Sequence, residues 1–183
     1  EKRLWSDLFN STTKEFISAK LDERDLRHEK QGGQRYMVEP NVKEGKGGLR
    51  DLQSLFWIAK YLYRVKEQSE LVKLGMLRKD EFIKFQEAES FLWAIRCHLH
   101  ILTKRPSDQL SFDLQVEIAT KLGYQDTKAR RAVEVFMQDY FTHATRVGDI
   151  TRIFLTALEA KHVKEMPLLQ RIFRRLPQVK DPY

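Results

Sequence analysis

Three observations predict an all-α fold, an antiparallel four- or five-helix bundle. Apolar residues recur at steps of three and four along most of the chain, as amphipathic helices require. No series of alternating apolar and polar residues marks out strands, and there is no repeat of fixed period. Five of the eight glycines, Gly32, Gly33, Gly45, Gly47 and Gly48, fall in one short stretch, leaving the remaining segments free to be regular. With 183 residues and 42% hydrophobic content, one core and one domain are expected.

The first helix is placed over residues 1–30, where Leu4, Trp5, Leu8, Phe9, Phe16, Ile17 and Leu21 share one face across a polar interruption at Ser11 to Thr13. Residues 31–48 are irregular, with Arg35 to Val38 as a short extended piece ahead of Pro40. The helical bundle is expected over 49–165. A second helix follows from Leu49 to about Lys66 through Leu52, Leu55, Phe56, Ala59, Leu62 and Tyr63. A third runs from Arg78 to Lys104 along Phe85, Ala88, Leu92, Ile95, Leu99 and Leu102, and Pro106 stops it. A fourth covers Phe112 to Leu122, with Gly123 as its C-terminal cap. The last starts near Thr127, exceeds thirty residues, and lines up Val133, Phe136, Tyr140, His143, Val147, Ile150, Phe154 and Ala157. Residues 166–183 are basic, carry Pro167, Pro177 and Pro182, and read as a linker tail.

The longest apolar runs are short and broken by charge, which excludes a membrane span. Cys97 is the single cysteine, so neither an internal disulfide nor a thiolate metal cluster forms, and a reducing cytoplasm fits. Glu1 is not a natural start, so the sequence reads as a piece excised from a larger protein. The net charge of +7 suits an acidic partner, although acids interleaved with the bases also read as ordinary solvated helix surface. Nucleic acid is an unfavoured partner, because the basic residues form no long stripe and no recognised motif.

Glu39-Pro-Asn-Val-Lys-Glu-Gly-Lys-Gly-Gly-Leu-Arg-Asp51 is the least generic segment. Gly45, Gly47 and Gly48 free the backbone directly before a helix start, whose unpaired amides attract phosphate. Lys43, Lys46 and Arg50 add cationic donors. Spacing by itself leaves two readings open, a phosphate cradle or a tight turn surrounded by solvated cations, since this is neither a Walker loop nor a dinucleotide fingerprint.

The same segment, continued through Leu52-Gln53 and Trp57-Ile-Ala-Lys60, resembles the signature of the bacterial PII uridylyltransferase/uridylyl-removing family. More distantly it looks like that of the glutamine synthetase adenylyltransferases. Upstream, Lys20 to Arg24, Arg27-His28 and Gly32-Gly33 agree with that family. Downstream, Arg96, Leu99-His100, Arg105, Leu110 to Gln115 and Leu122-Gly-Tyr124 agree as well. Lys104 and Gln109 depart from the glycine and arginine usual in the family.

The resemblance implies a helical domain placed after a nucleotidyltransferase domain in a multifunctional enzyme of nitrogen metabolism regulation. Such an enzyme moves UMP from UTP to a tyrosine of the PII signalling protein, and also removes it. Mg2+ and UTP are the implied cofactor and substrate, and PII the implied partner. No catalytic or metal residue is expected here: there is no Asp-x-Asp pair and no His-Asp dipeptide, and Glu87 and Glu89 point to different faces of their helix. His98 and His100, two apart on a helix, cannot share a metal, and His143 reads as a hydrogen-bonded core residue. The expected nucleotide-binding residues are Lys43, Gly45, Gly47, Gly48, Arg50 and Asp51, with Glu39 and Asn41 near the metal or the base and Asp51 orienting Arg50 or the loop. The rival expectation is a non-catalytic adaptor that docks PII or spaces the catalytic domains.

Overall fold

The computed structural model describes residues 2–162. The side chains of Leu4, Trp5, Leu8 and Phe9, and the linker tail expected over 166–183, lie outside the described residues. The chain is all-α. Six helices run in the order α1 (Lys2–Lys30), α2 (Leu49–Tyr63), α3 (Glu70–Lys73), α4 (Lys79–Thr103), α5 (Phe112–Lys121) and α6 (Ala132–His162). The count among the described residues exceeds the four or five expected because α3 is a single four-residue turn, too short to show a periodic pattern.

Helix α1 continues through Ser11 to Thr13, since neither residue type breaks a helix and no glycine or proline intervenes. Arg35 to Val38 forms no strand; the extended contact lies further on, as an isolated antiparallel bridge between Asn41 and Gln109. Helix α6 begins later than expected because Asp126 Oδ1 accepts the Ala132 amide at 2.7 Å, capping a turn that occupies 127–130.

Helix α6 is the central element and packs against α2, α4 and α5, while α1 lies on α2. Phe85, Ala88, Leu92, Ile95 and Leu99 of α4 are fully buried, and Phe136, Tyr140, Val147, Ile150 and Phe154 of α6 meet them. Each large side chain so buried contributes about 1.5–3 kcal/mol by removal of apolar area from water. His143 stacks on Phe91 with ring centroids 4.3 Å apart. Its Nδ1 is buried and has no hydrogen-bond partner among the described residues, so at that atom the expected hydrogen bond is missing and the ring packs on Phe91. Burial and the nearby Arg146 lower its pKa.

Gly123 ends α5 as expected. At φ +85° it lets the Tyr124 amide reach the Ala119 carbonyl at 3.0 Å and its own amide reach Thr120 at 3.1 Å, a Schellman closure. At the end of α4 the same left-handed geometry falls on Lys104, with φ 52° and ψ 26°. A lysine there pays about 1 kcal/mol of steric strain that glycine avoids. Lys104→Gly should therefore stabilise the chain by about 0.5–1 kcal/mol, raising the calorimetric Tm by about 1–4 °C. An unchanged or lower Tm would show that the strain is relieved elsewhere.

Candidate functional site

The glycine-rich segment is built by its own backbone. Asn41 Oδ1 accepts the amides of Lys43 and Glu44 at 3.1 and 2.7 Å, an Asx turn that reverses the chain. The carbonyls of Val42 and Lys43 then accept the Leu49 and Arg50 amides at 3.0 and 2.9 Å, so the loop folds back over the first turn of α2. A Cβ at Gly48 would lie 2.7–2.9 Å from three carbonyl oxygens, and one at Gly45 would lie 2.5 Å from that of Asn41. Gly47, at φ +83°, rests on the Ala144 carbonyl of α6. These glycines are required by close packing.

The same bonds use the amides. Gly45 donates to the Asn41 carbonyl, Gly48 to the Gly45 carbonyl, Asp51 to the Gly48 carbonyl, and Gly47 to Asp51 Oδ2, each within 2.9–3.1 Å. A second loop, 104–111, is zipped alongside: Val42 donates to Asp108, and Leu110 to Pro40, both at 2.9 Å. Gln109 Nε2 bonds the Glu39 carbonyl. Glu39 Oε1 accepts the Phe112 amide at 2.9 Å, serving the start of α5. Both Glu39 and Asn41, expected near a metal or base, thus have backbone partners that shape the loop.

Asp51 is 3% exposed and lies under the loop. It accepts from Arg27 Nη2, from His28 Nε2 at 2.9 Å, and from the Gly47 amide at 2.9 Å. Burial opposes its ionisation, but His28, Arg27 and the Gly47 amide outweigh that and hold its pKa below the usual range. Asp51 therefore orients the loop, whereas Arg50 turns to Glu44, with Nη2 to Oε1 at 3.0 Å and the guanidinium 5.5 Å from the Trp57 ring centre. Glu44 also faces Lys43 at 3.5 Å and Arg27 at 3.7 Å; burial raises its pKa, and Arg50 with the other cations brings it below normal.

Arg96 Nε and His100 Nε2, one turn apart on α4, both reach Asp108 Oδ1, at 2.8 and 3.1 Å. Lys43 Nζ is 4.0 Å from its other oxygen. Asp108 too is held below its ordinary value, burial being overcome by Arg96 and His100. Glu44 and Asp108 are the site residues that sequence reasoning passed over. Arg96 and His100 carried a signal, their i, i+4 spacing, but nothing local marks Asp108 as their partner.

With three carboxylates held low, the folded state favours their ionised forms. The stability they contribute is complete above the unfolded values, 3.8 for aspartate and 4.5 for glutamate, and is lost as pH falls through the folded ones. The urea midpoint should therefore fall below about pH 4.5, and fall less steeply in Asp51→Asn. Equal slopes for both proteins would remove Asp51 from this account.

Among the described residues, no three His, Cys, Asp or Glu side chains gather to hold a metal ion. Glu87 pairs with Arg146 and Glu89 accepts from Gln68, on separate faces of α4. No described helix is long and apolar enough to cross a membrane.

Comparison with known proteins bears on this constellation as a whole. The family model of GlnD PII-uridylyltransferase matches residues 15–155. The chain belongs to this family. It is 62% identical over 183 residues to the bifunctional uridylyltransferase/uridylyl-removing enzyme of Cereibacter sphaeroides, and 64% identical to that of Ruegeria pomeroyi. In each case all of the chain is covered but 20% of the relative, so it spans a fifth of their length. No solved structure matches. The GlnD family match runs from α1 into α6 and includes every residue of the two zipped loops. Two of the sequence blocks that carry the resemblance meet in space, Arg27 and His28 on Asp51, while Arg96 and His100 of a third meet Asp108, which lies outside those blocks.

Proposed function

We propose that this chain is the helical nucleotide-binding part of a bifunctional uridylyltransferase/uridylyl-removing enzyme, acting in the cytoplasm on UTP and the PII protein in nitrogen regulation. It is an antiparallel helical bundle carrying a glycine-rich loop that closes over the nucleotide. Lys43 and Arg50 contact phosphate. Gly45, Gly47 and Gly48 set the turn, Asp51 locks it to α1, and Glu39 and Asn41 give it shape. The observation that carries this reading is the pair of cations on a loop braced from three sides, by α1, α6 and the 104–111 loop. The Gly45, Gly47 and Gly48 amides already have partners, so the side chains and not these glycine amides supply the phosphate contacts. Glu44 holds Arg50 and Lys43 in place and would yield them to a more highly charged phosphate.

Nucleotidyl transfer of this kind uses magnesium. Among the described residues no group of three His, Cys, Asp or Glu side chains gathers to hold it.

In the full-length enzyme, Lys43→Ala and Arg50→Ala should each lower uridylyl transfer about ten-fold or more, as loss of a charge-assisted phosphate contact does, while uridylyl removal stays close to normal. Transfer at the parental rate would reject the phosphate role. The adaptor reading, in which the piece docks PII or spaces the catalytic domains, draws on an open apolar groove floored by Met137 and Phe141 and rimmed by Tyr36, Val38, Phe112 and Val116. It expects unaltered UTP kinetics in both variants and weaker PII binding in Phe112→Ala.

A further inference from the structure

A cleft of about 270 Å³ opens between the end of α1, the segment 31–41, Gly45 and Lys46, and α6 at Tyr140, and Asp51 is not among its lining residues. We propose that this cleft is an anion site that takes the phosphates of a small phosphate-bearing molecule, with Lys30, Arg35 and Lys46 as its cationic contacts.

The argument rests on a contrast in pairing. Arg27, Lys43, Arg50 and Arg96 each face a carboxylate within 4.0 Å. Lys30, Arg35 and Lys46 line one cleft and none of them has an ion-pair partner among the described residues. The single carboxylate in the wall is Glu39, and its Oε1 is engaged by the Phe112 amide at 2.9 Å. Three cations against one acid leave the walls positively charged. Like charges held around one opening repel, and a polyanion converts that repulsion into charge-assisted hydrogen bonds.

Arg35 is fitted tightly. Its guanidinium lies against α6 at Gly148, where any Cβ would collide with it, and its Nε is buried without a hydrogen-bond partner. The cost of the unpaired Nε stays with the fold; an anion in the cleft would instead answer the guanidinium charge, which no carboxylate among the described residues pairs. Asn41 and Gln109 add carboxamide groups to the wall. Tyr140 closes the cleft, its hydroxyl kept protonated by burial. Pockets for whole drug-sized ligands run from about 300 to 1,000 Å³, so this cleft suits a phosphate chain better than an entire nucleotide.

The site is separate from the phosphate contacts proposed at Lys43 and Arg50 and does not depend on them. Isothermal titration of the 183-residue chain with inorganic pyrophosphate tests it. One saturable site is expected, weakened about ten-fold or more in the Lys30→Ala/Lys46→Ala double variant. The charge-matched control Lys84→Ala/Lys121→Ala, on exposed positions away from the cleft, should bind as the parent does. A UTP arm identifies the source of the phosphate: displacement of pyrophosphate by UTP assigns the cleft to a nucleotide's phosphate chain, and persistence of pyrophosphate binding assigns it to a free polyphosphate. The proposal is overturned by absence of saturable binding, by equal weakening in the two double variants, or by an acidic peptide binding where pyrophosphate does not. Circular dichroism melts of both variants separate loss of the site from loss of the fold.

Discussion

Asp51→Ala is expected to destabilise the chain by about 3–5 kcal/mol, read as a lowered urea midpoint at unchanged m-value. The carboxylate is 3% exposed and answers three donors at once: Arg27 and His28 of α1 and the Gly47 amide. Its removal leaves the Arg27 guanidinium, whose Nε and Nη1 already lack hydrogen-bond partners, with its nearest remaining carboxylate in Glu44 at 3.7 Å. A buried cation stripped of its counterion costs far more than the pair had contributed. Asp51→Asn keeps an acceptor for the Gly47 amide and should lose less. Replacing both partners, in Arg27→Met/Asp51→Leu, should recover part of the loss, because no charge is then stranded. If the double variant were as unstable as the sum of the singles, the electrostatic account of this pair would be wrong.

Gly47→Ala should cost about 3–4 kcal/mol, which combines left-handed backbone strain with overpacking. The residue has φ +83°, and an added methyl group would meet the Ala144 carbonyl, which is backbone in the middle of α6 and cannot swing aside. Gly75→Ala supplies the comparison. Its φ is +65° and nothing lies within 4 Å of the new Cβ, so only the conformational cost, about 1–2 kcal/mol, applies. Equal losses in the two variants, measured by chemical unfolding, would show that the loop lifts off α6 without penalty. Lifting should also be visible as faster hydrogen exchange at the Leu49 and Arg50 amides, which bond the Val42 and Lys43 carbonyls.

The helices were legible because their signal is local and repeated. On α4 every third or fourth residue from Phe85 to Leu99 is apolar, and each of those positions is fully buried. Gly123 was legible as a cap for the same reason, since an αL residue directly after a helical stretch is a short-range requirement. Helix α3 was not, because four residues span barely one turn and show no period. The glycine cluster was conspicuous, but its purpose was not: glycine permits both an exposed amide nest and close backbone packing, and the sequence does not distinguish the two. Only the positions of Ala144, Asn41 and the carbonyls around Gly48 show that close packing is the reason.

Sequence alone therefore established the all-α class, the helical faces and the resemblance of the 39–53 segment to the uridylyltransferase family, all of which depend on residues within a few turns of one another. Tertiary structure decided who pairs with whom. Asp51 finds Arg27 and His28 more than twenty residues upstream, Val42 and Pro40 bond Asp108 and Leu110 across the 104–111 loop, and Lys30, Arg35 and Lys46 come to one cleft with no ion-pair partner among the described residues. The physical reason is that hydrophobic periodicity is set by the geometry of a single helix, whereas the partner of a charge or of a glycine is set by how separate helices pack. Packing brings together residues whose distance along the chain carries no record of their distance in space.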